Sequence, residues 1–142
     1  MEQPKKKSVQ TIIGLVVGLA VMVLVQQLMF KAPGFDKTMM KVASELNKTC
    51  PFMVDSETQL DNAIALPDNV FQYNYTLINT SKDSIDIQVF ENIMKPMLIK
   101  NIGSTPELKT FRDNKVTMVY SYKDKNGNFL SKISVTYDDY TK

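Results

Sequence analysis

Val70-Phe71-Gln72-Tyr73-Asn74-Tyr75-Thr76-Leu77-Ile78 is the stretch that decides the fold. Phe71, Tyr73, Tyr75 and Leu77 alternate with Gln72, Asn74 and Thr76. Side chains of a strand point to opposite faces in turn, so this pattern predicts one buried and one wet face. Upstream, Leu66-Pro67-Asp68-Asn69 reads as a turn, because Pro presets one dihedral and Asp or Asn bonds locally to the backbone. Before it, Phe52 to Leu66 reads as extended chain with Val54 and Leu60 inward, and the two runs form a hairpin.

The second half repeats the pattern. Val116, Met118, Tyr120 and Tyr122 share one face. Asn126-Gly127 then signals a hairpin, since both residues tolerate positive φ. Phe129 to Tyr137 returns as the partner strand, with Phe129, Ile133, Val135 and Tyr137 inward.

Between and before the strand pairs lie helices. Asp36 opens a helix to about Lys48, with Met39, Met40, Val42, Ala43 and Leu46 on one face. Cys50-Pro51 ends it. Asp83 or Ser84 caps a second helix, whose expected core stripe is Ile85, Val89, Ile93 and Met97, joined by Phe90 and Leu98. Pro96 is expected to kink or interrupt that helix. Thr105-Pro106 starts a short third helix carrying Leu108 and Phe111. The expected architecture is α+β. A four-stranded, mainly antiparallel sheet (helix, strand pair, helix, strand pair) is covered by helices on one face.

Ahead of this domain, Ser8 to Phe30 contains no charged residue, and Ile12 to Val25 is wholly apolar or glycine. Crossing a hydrocarbon core takes about 20 apolar residues of helix. The segment is therefore expected to be an uncleaved transmembrane helix; the alternative, a cleaved signal peptide, lacks its small-residue site after Val25. Lys5, Lys6 and Lys7 cluster on the short tail, placing it in the cytoplasm by the positive-inside rule. The expected organisation is a cytoplasmic tail (1–7), a single-pass membrane span (8–30), a Pro-Gly hinge (31–35) and an extracytoplasmic domain (36–142), periplasmic or extracellular. Gly14 and Gly18 form a G-x-x-x-G that would let two spans pack as a homodimer.

Composition narrows the chemistry. The chain has 142 residues, with 17 Lys plus Arg against 15 Asp plus Glu. Setting aside Glu2 and Lys5, Lys6 and Lys7, the remainder is formally neutral, without the basic stripe of a nucleic-acid binder. No histidine is present, which removes Ser–His–Asp and Cys–His catalysis and histidine-based zinc sites. Cys50, the one cysteine, forms no internal disulfide and reads as a small packed side chain or a link to another chain. No cofactor or metal is expected. Asp55, Glu57 and Asp61 could do acid–base work or hold a hard cation, but the spacing and glycine of a calcium loop are missing. A solvated strand edge is the plainer reading. Tyr73, Tyr75, Tyr120 and Tyr122 could line a groove for a sugar or peptide, or form core beneath helices. Asn47-Lys48-Thr49, Asn74-Tyr75-Thr76 and Asn79-Thr80-Ser81 match the N-glycosylation pattern, which carries no meaning in a bacterial protein.

Cys50-Pro51, Val54-Asp55, Thr58, Leu60-Asp61, Tyr73-x-Tyr75-Thr76-Leu77 and Tyr120-x-Tyr122-x-Asp124 with Gly127 resemble a family of small bacterial envelope or secreted domains. The resemblance covers roughly residues 40–137. It implies an extracytoplasmic bacterial setting and transfers no catalytic residue; the late cysteines of that pattern are absent here. The leading expectation is a non-enzymatic, membrane-anchored accessory domain that presents a sheet edge or wet face to a protein partner. A carboxylate enzyme and a sugar- or peptide-binding module are the alternatives.

Overall fold

The computed structural model describes residues 35–142. Helix α1 (Phe35–Thr49) leads into strands β1 (Phe52–Met53), β2 (Thr58–Leu66) and β3 (Val70–Leu77). A 3-10 turn and helix α2 (Ile87–Ser104) follow, then a second 3-10 turn and the short α3 (Lys109–Asp113). Strands β4 (Thr117–Lys123) and β5 (Phe129–Val135) and the one-turn α4 (Tyr137–Tyr140) complete the domain.

The fold is α+β as the alternation implies, but the sheet differs from the expected one. It has five strands in the order β1-β2-β3-β4-β5, and β3 and β4 are parallel. The fifth strand arises because Phe52 to Leu66 is not one run. Val54 N and Asp55 N both donate to Thr58 O, folding the segment into a small hairpin of β1 on β2. The parallel pair arises because α2 carries the chain back across the sheet between β3 and β4. A strand delivered by such a crossover runs in the same direction as the one before it. The sheet is therefore mixed: three of its four pairings are antiparallel, and β3–β4 is the parallel one.

Among the described residues no helix is long and apolar enough to cross a membrane. The span expected at 8–30, with Gly14 and Gly18, lies outside the described residues, so the expected transmembrane helix has no counterpart among the described ones.

The turn at Pro67-Asp68-Asn69 places Asp68 and Asn69 at φ 63° and 62°. Asp and Asn tolerate this left-handed region better than most residues, so the sequence suits a tight β2–β3 reversal. Gly127 meets the same need at φ 83° between β4 and β5.

Helix α1 packs on β2 and α2 on β5, both on the inner face of the sheet. Thr38, Met39, Val42, Ala43 and Leu46 of α1 are buried. Beyond the two residues of β1, the outer backbone of β2 would be an open edge. Asn47 covers it at Ala63: its Nδ2 donates to Ala63 O (2.8 Å) and its Oδ1 accepts from Ala63 N (2.7 Å). One side chain thus imitates a strand and fixes α1 to the sheet.

The hairpin joining β4 and β5 is organised by Asp124, which is fully buried. Its carboxylate accepts from Lys82 N, Asn126 N and Asn128 N, each at 2.8 Å, and from Asn128 Nδ2 at 3.2 Å. Burial pushes this carboxyl up, but the hydrogen bonds to its charged form outweigh that and bring its pKa down to about 2. Asp124 therefore ties the 3-10 turn before α2 to the hairpin.

Candidate functional site

The four strand tyrosines are not a surface. Tyr73, Tyr75, Tyr120 and Tyr122 are all buried and stack along β3 and β4: the Tyr73–Tyr120 centroids lie 5.4 Å apart and the Tyr75–Tyr122 centroids 5.2 Å. Phe71 continues the row at 5.1 Å from Tyr73, and Phe90 of α2 closes it edge-on at 5.0 Å from Tyr122. The groove reading is corrected here: the apolar positions of both central strands face the helices, and the large rings fill that space. Burial raises the pKa of all four phenols well above the ordinary range, reinforced at Tyr122 by Tyr120 and Asp55.

The three carboxylates part company. Asp55 Oδ1 accepts from Glu57 N and Thr58 N, closing its own turn. Glu57 accepts from Asn79 Nδ2 at 3.0 Å. Asp61 sits at a β2 bulge on the outer face, where Gln59 and Thr76 donate to it and Lys123 Nζ lies at 3.6 Å. They are held by different partners rather than assembled into one acid–base pair. Among the described residues no group of three or more His, Cys, Asp or Glu could hold a metal. Cys50 is half-buried, and burial raises its pKa, with Asp61 adding in the same direction, so the unreactive thiol is favoured.

The surface that does stand open is on α2. Asp86 caps this helix, its carboxylate accepting from Val89 N at 3.1 Å. The cap falls two or three residues later than expected. The helix then runs unbroken through Pro96 to Ser104. Its buried residues are Met94, Leu98 and Ile102, every four positions. The stripe expected in the core, Val89 and Ile93, points outward at 52% and 45% exposure, with Ile85 and Met97 half-buried beside it. The two stripes have the same period, so spacing alone could not say which one faces the sheet. Four contacts set the rotation. Ser131 of β5 donates to Glu91, Arg112 Nη1 donates to Ile102 O (2.7 Å) and Thr105 O (2.6 Å), and Phe90 reaches Tyr122. The exposed stripe was present in the sequence; the signal that it is spare was the second apolar series Met94, Leu98 and Ile102.

The outer sheet face carries a second open feature. Asp61, Asn62, Asn74, Ser121, Lys123 and Phe129 line a shallow depression of about 310 Å³. Phe129, expected inward, is 58% exposed. A register shift between Tyr122 and Lys123 turns it to the outer face. Ser131 takes an inward position in its place.

The fold has solved counterparts. A protein of Pseudomonas aeruginosa described as secreted superposes with a TM-score of 0.62 at 11% identity, covering 73% of this chain and 90% of its own. The type II secretion system pilotin AspS from Vibrio cholerae gives 0.54 at 11% identity, covering 73% and 90%. The Vibrio vulnificus type II secretion pilotin EpsS gives 0.59 at 8% identity, covering 75% and 92%. At these identities the likeness is one of fold. No curated protein matches the sequence. The profile of a family described as Domain of unknown function (DUF8479) matches residues 34–131, and the chain belongs to that family.

Proposed function

We propose that the domain is a non-enzymatic accessory module of the cell envelope. A protein partner docks on the exposed stripe of α2, and residues 8–30 hold the module at a membrane. The carrying observation is that Val89 and Ile93 lie outward on a helix whose neighbouring stripe, Met94, Leu98 and Ile102, already fills the core. Large apolar side chains aligned at one helical spacing form a ready groove-filling or helix-packing surface. Half-buried Met97 extends it, and methionine adapts to a partner's contour. The likeness in fold to pilotins of secretion systems supports seeking the partner among components of an envelope assembly. The apolar run Ile12 to Val25, with lysines on its short flank, supports a tether with the domain on the extracytoplasmic side. Gly14 and Gly18 would allow two tethers to pair.

The test is affinity capture of the full chain from detergent-solubilised membranes, in parallel with a Val89→Ser/Ile93→Ser variant. The reading expects a stoichiometric partner with the wild type, reduced at least about tenfold with the variant, which is a loss of 1.4 kcal/mol or more. Equal capture by both proteins would move the docking site elsewhere. A second variant lacking residues 1–30 separates the tether from the stripe: it should leave the membrane fraction yet still bind the isolated partner.

A further inference from the structure

We propose that the outer face of the sheet, between the Asp61 bulge and Phe129, is a binding site for a neutral pyranoside sugar. Two cross-strand rows build it. Gln59, Thr76, Lys123 and Phe129 stand opposite one another across β2, β3, β4 and β5, and Asn62, Asn74, Ser121 and Lys132 form the adjacent row.

The polar groups are fixed before any ligand arrives. Gln59 Nε2 donates to Asp61 Oδ1 at 2.7 Å, and Thr76 Oγ1 donates to Asp61 Oδ2 at 2.6 Å. Gln72 Nε2 donates to Asn74 Oδ1 at 2.8 Å, and Asn74 Nδ2 donates to Asn62 Oδ1 at 2.6 Å. These bonds set the direction of each amide, which lowers the ordering cost of binding. They leave capacity unspent: an amide nitrogen carries two hydrogens, and a hydroxyl both donates and accepts. The second hydrogen of Asn74 Nδ2, the amide group of Asn62 and the Ser121 hydroxyl remain to serve a ligand.

Charge and shape choose the ligand class. Lys123 Nζ lies 3.6 Å from Asp61 Oδ2, so the two charges lining the depression offset each other, and Lys132 stands at the end of the second row, outside that lining. An anion would meet Asp61 and a cation Lys123, whereas an uncharged polyol meets neither penalty. Phe129 adds an exposed ring at the rim. A pyranose has a face of C–H groups for such a ring and an edge of hydroxyls for amides and serine. Pockets for small ligands run from about 300 Å³ upward. At about 310 Å³ the depression suits a single sugar or the end of a glycan rather than a long chain. The site is on the opposite side of the sheet from α2, so it is independent of the partner stripe.

The experiment is a ¹⁵N NMR titration of the full chain in a detergent without a sugar head group. The probes are methyl β-glucoside and N-acetylglucosamine trimer, with glucuronate as a charged control. The expected result is saturable shifts of the Asn62, Asn74, Ser121 and Phe129 amides with at least one neutral probe, and weaker binding of glucuronate. Asn74→Ala and Phe129→Ala should each weaken binding about tenfold, equivalent to about 1.4 kcal/mol. Phe129→Tyr should retain it, and Val89→Ser/Ile93→Ser should leave it unchanged. Absence of saturable shifts at these residues with both neutral probes overturns the site. So does undiminished binding by a folded Asn74→Ala and Phe129→Ala pair.

Discussion

Helices α1 and α2 cover the same face of the sheet from opposite flanks, α1 on β2 and α2 on β5, yet they use their apolar residues differently. In α1 the core takes Met39, Val42, Ala43 and Leu46, and Met40 alone among its large apolar side chains is exposed. In α2 the core takes Met94, Leu98 and Ile102, and a second stripe of the same period is left outside. The sheet needs only one face of each helix. α1 is therefore a structural lid, and α2 is a lid with a spare surface. Apolar residues that the fold does not require are the ones a partner can claim.

The largest expected effect concerns what the helices share. Tyr73, Tyr75, Tyr120 and Tyr122 are buried as neutral phenols with raised pKa values. In the unfolded chain they ionise near pH 10, so above that pH the unfolded state binds fewer protons and gains stability. The loss should be about 1.4 kcal/mol per pH unit for each tyrosine. Denaturant titrations from pH 9 to 12 of a Tyr137→Phe variant, which removes the exposed tyrosine outside the stack, should show a cooperative collapse, with phenolate absorbance of the stacked rings appearing only on unfolding. A gradual phenolate signal in the folded state would mean the rings are open to solvent.

Core truncation compares the helices directly. Leu46→Ala in α1 and Leu98→Ala in α2 should each cost about 2–5 kcal/mol, since both side chains are buried. A small loss at Leu98 beside a large one at Leu46 would mean that α2 is only loosely docked.

A third effect lies at the foot of α2. Asp124 has a folded pKa of about 2, below the ordinary value of 3.8. A depressed carboxyl contributes stability that is fully present above its unfolded pKa and is lost as pH falls through the folded one. Unfolding monitored from pH 5 to 2 should show stability falling between about pH 4 and about pH 2. Asp124→Asn should flatten that slope and lower the melting temperature at pH 7.

The smallest stability effect is the most informative for function. Val89→Ser and Ile93→Ser should each change stability by no more than about 0.5 kcal/mol, as exposed substitutions do. A loss of the size expected for Leu98→Ala would place these residues in the core and erase the distinction between the helices.

Most of the fold could be read from residue order. Alternation located β3 and β4 and their inward residues, Asn126-Gly127 located the last hairpin, and the α1 stripe was correct apart from Met40. What stayed hidden was set by contacts distant in sequence. The β3–β4 pairing is parallel because of where α2 crosses, which no local pattern records. The split of Phe52 to Leu66 depends on Thr58 O accepting two backbone donors. The rotation of α2 depends on Glu91, Phe90 and Arg112 finding partners on other elements. The candidate surfaces were correspondingly obscured. Val89 and Ile93 looked like core, the tyrosines admitted both a groove and a core reading, and Phe129 was turned outward by a register shift that its own strand does not announce.

The most direct test is site-specific photocrosslinking of the full chain in its native membranes. One photoreactive residue replaces Ile93 on α2, and another replaces Met40, the exposed apolar residue of α1. The account predicts a discrete protein adduct from position 93 and none from position 40. Adducts of equal yield from both positions, or none from position 93, would contradict it.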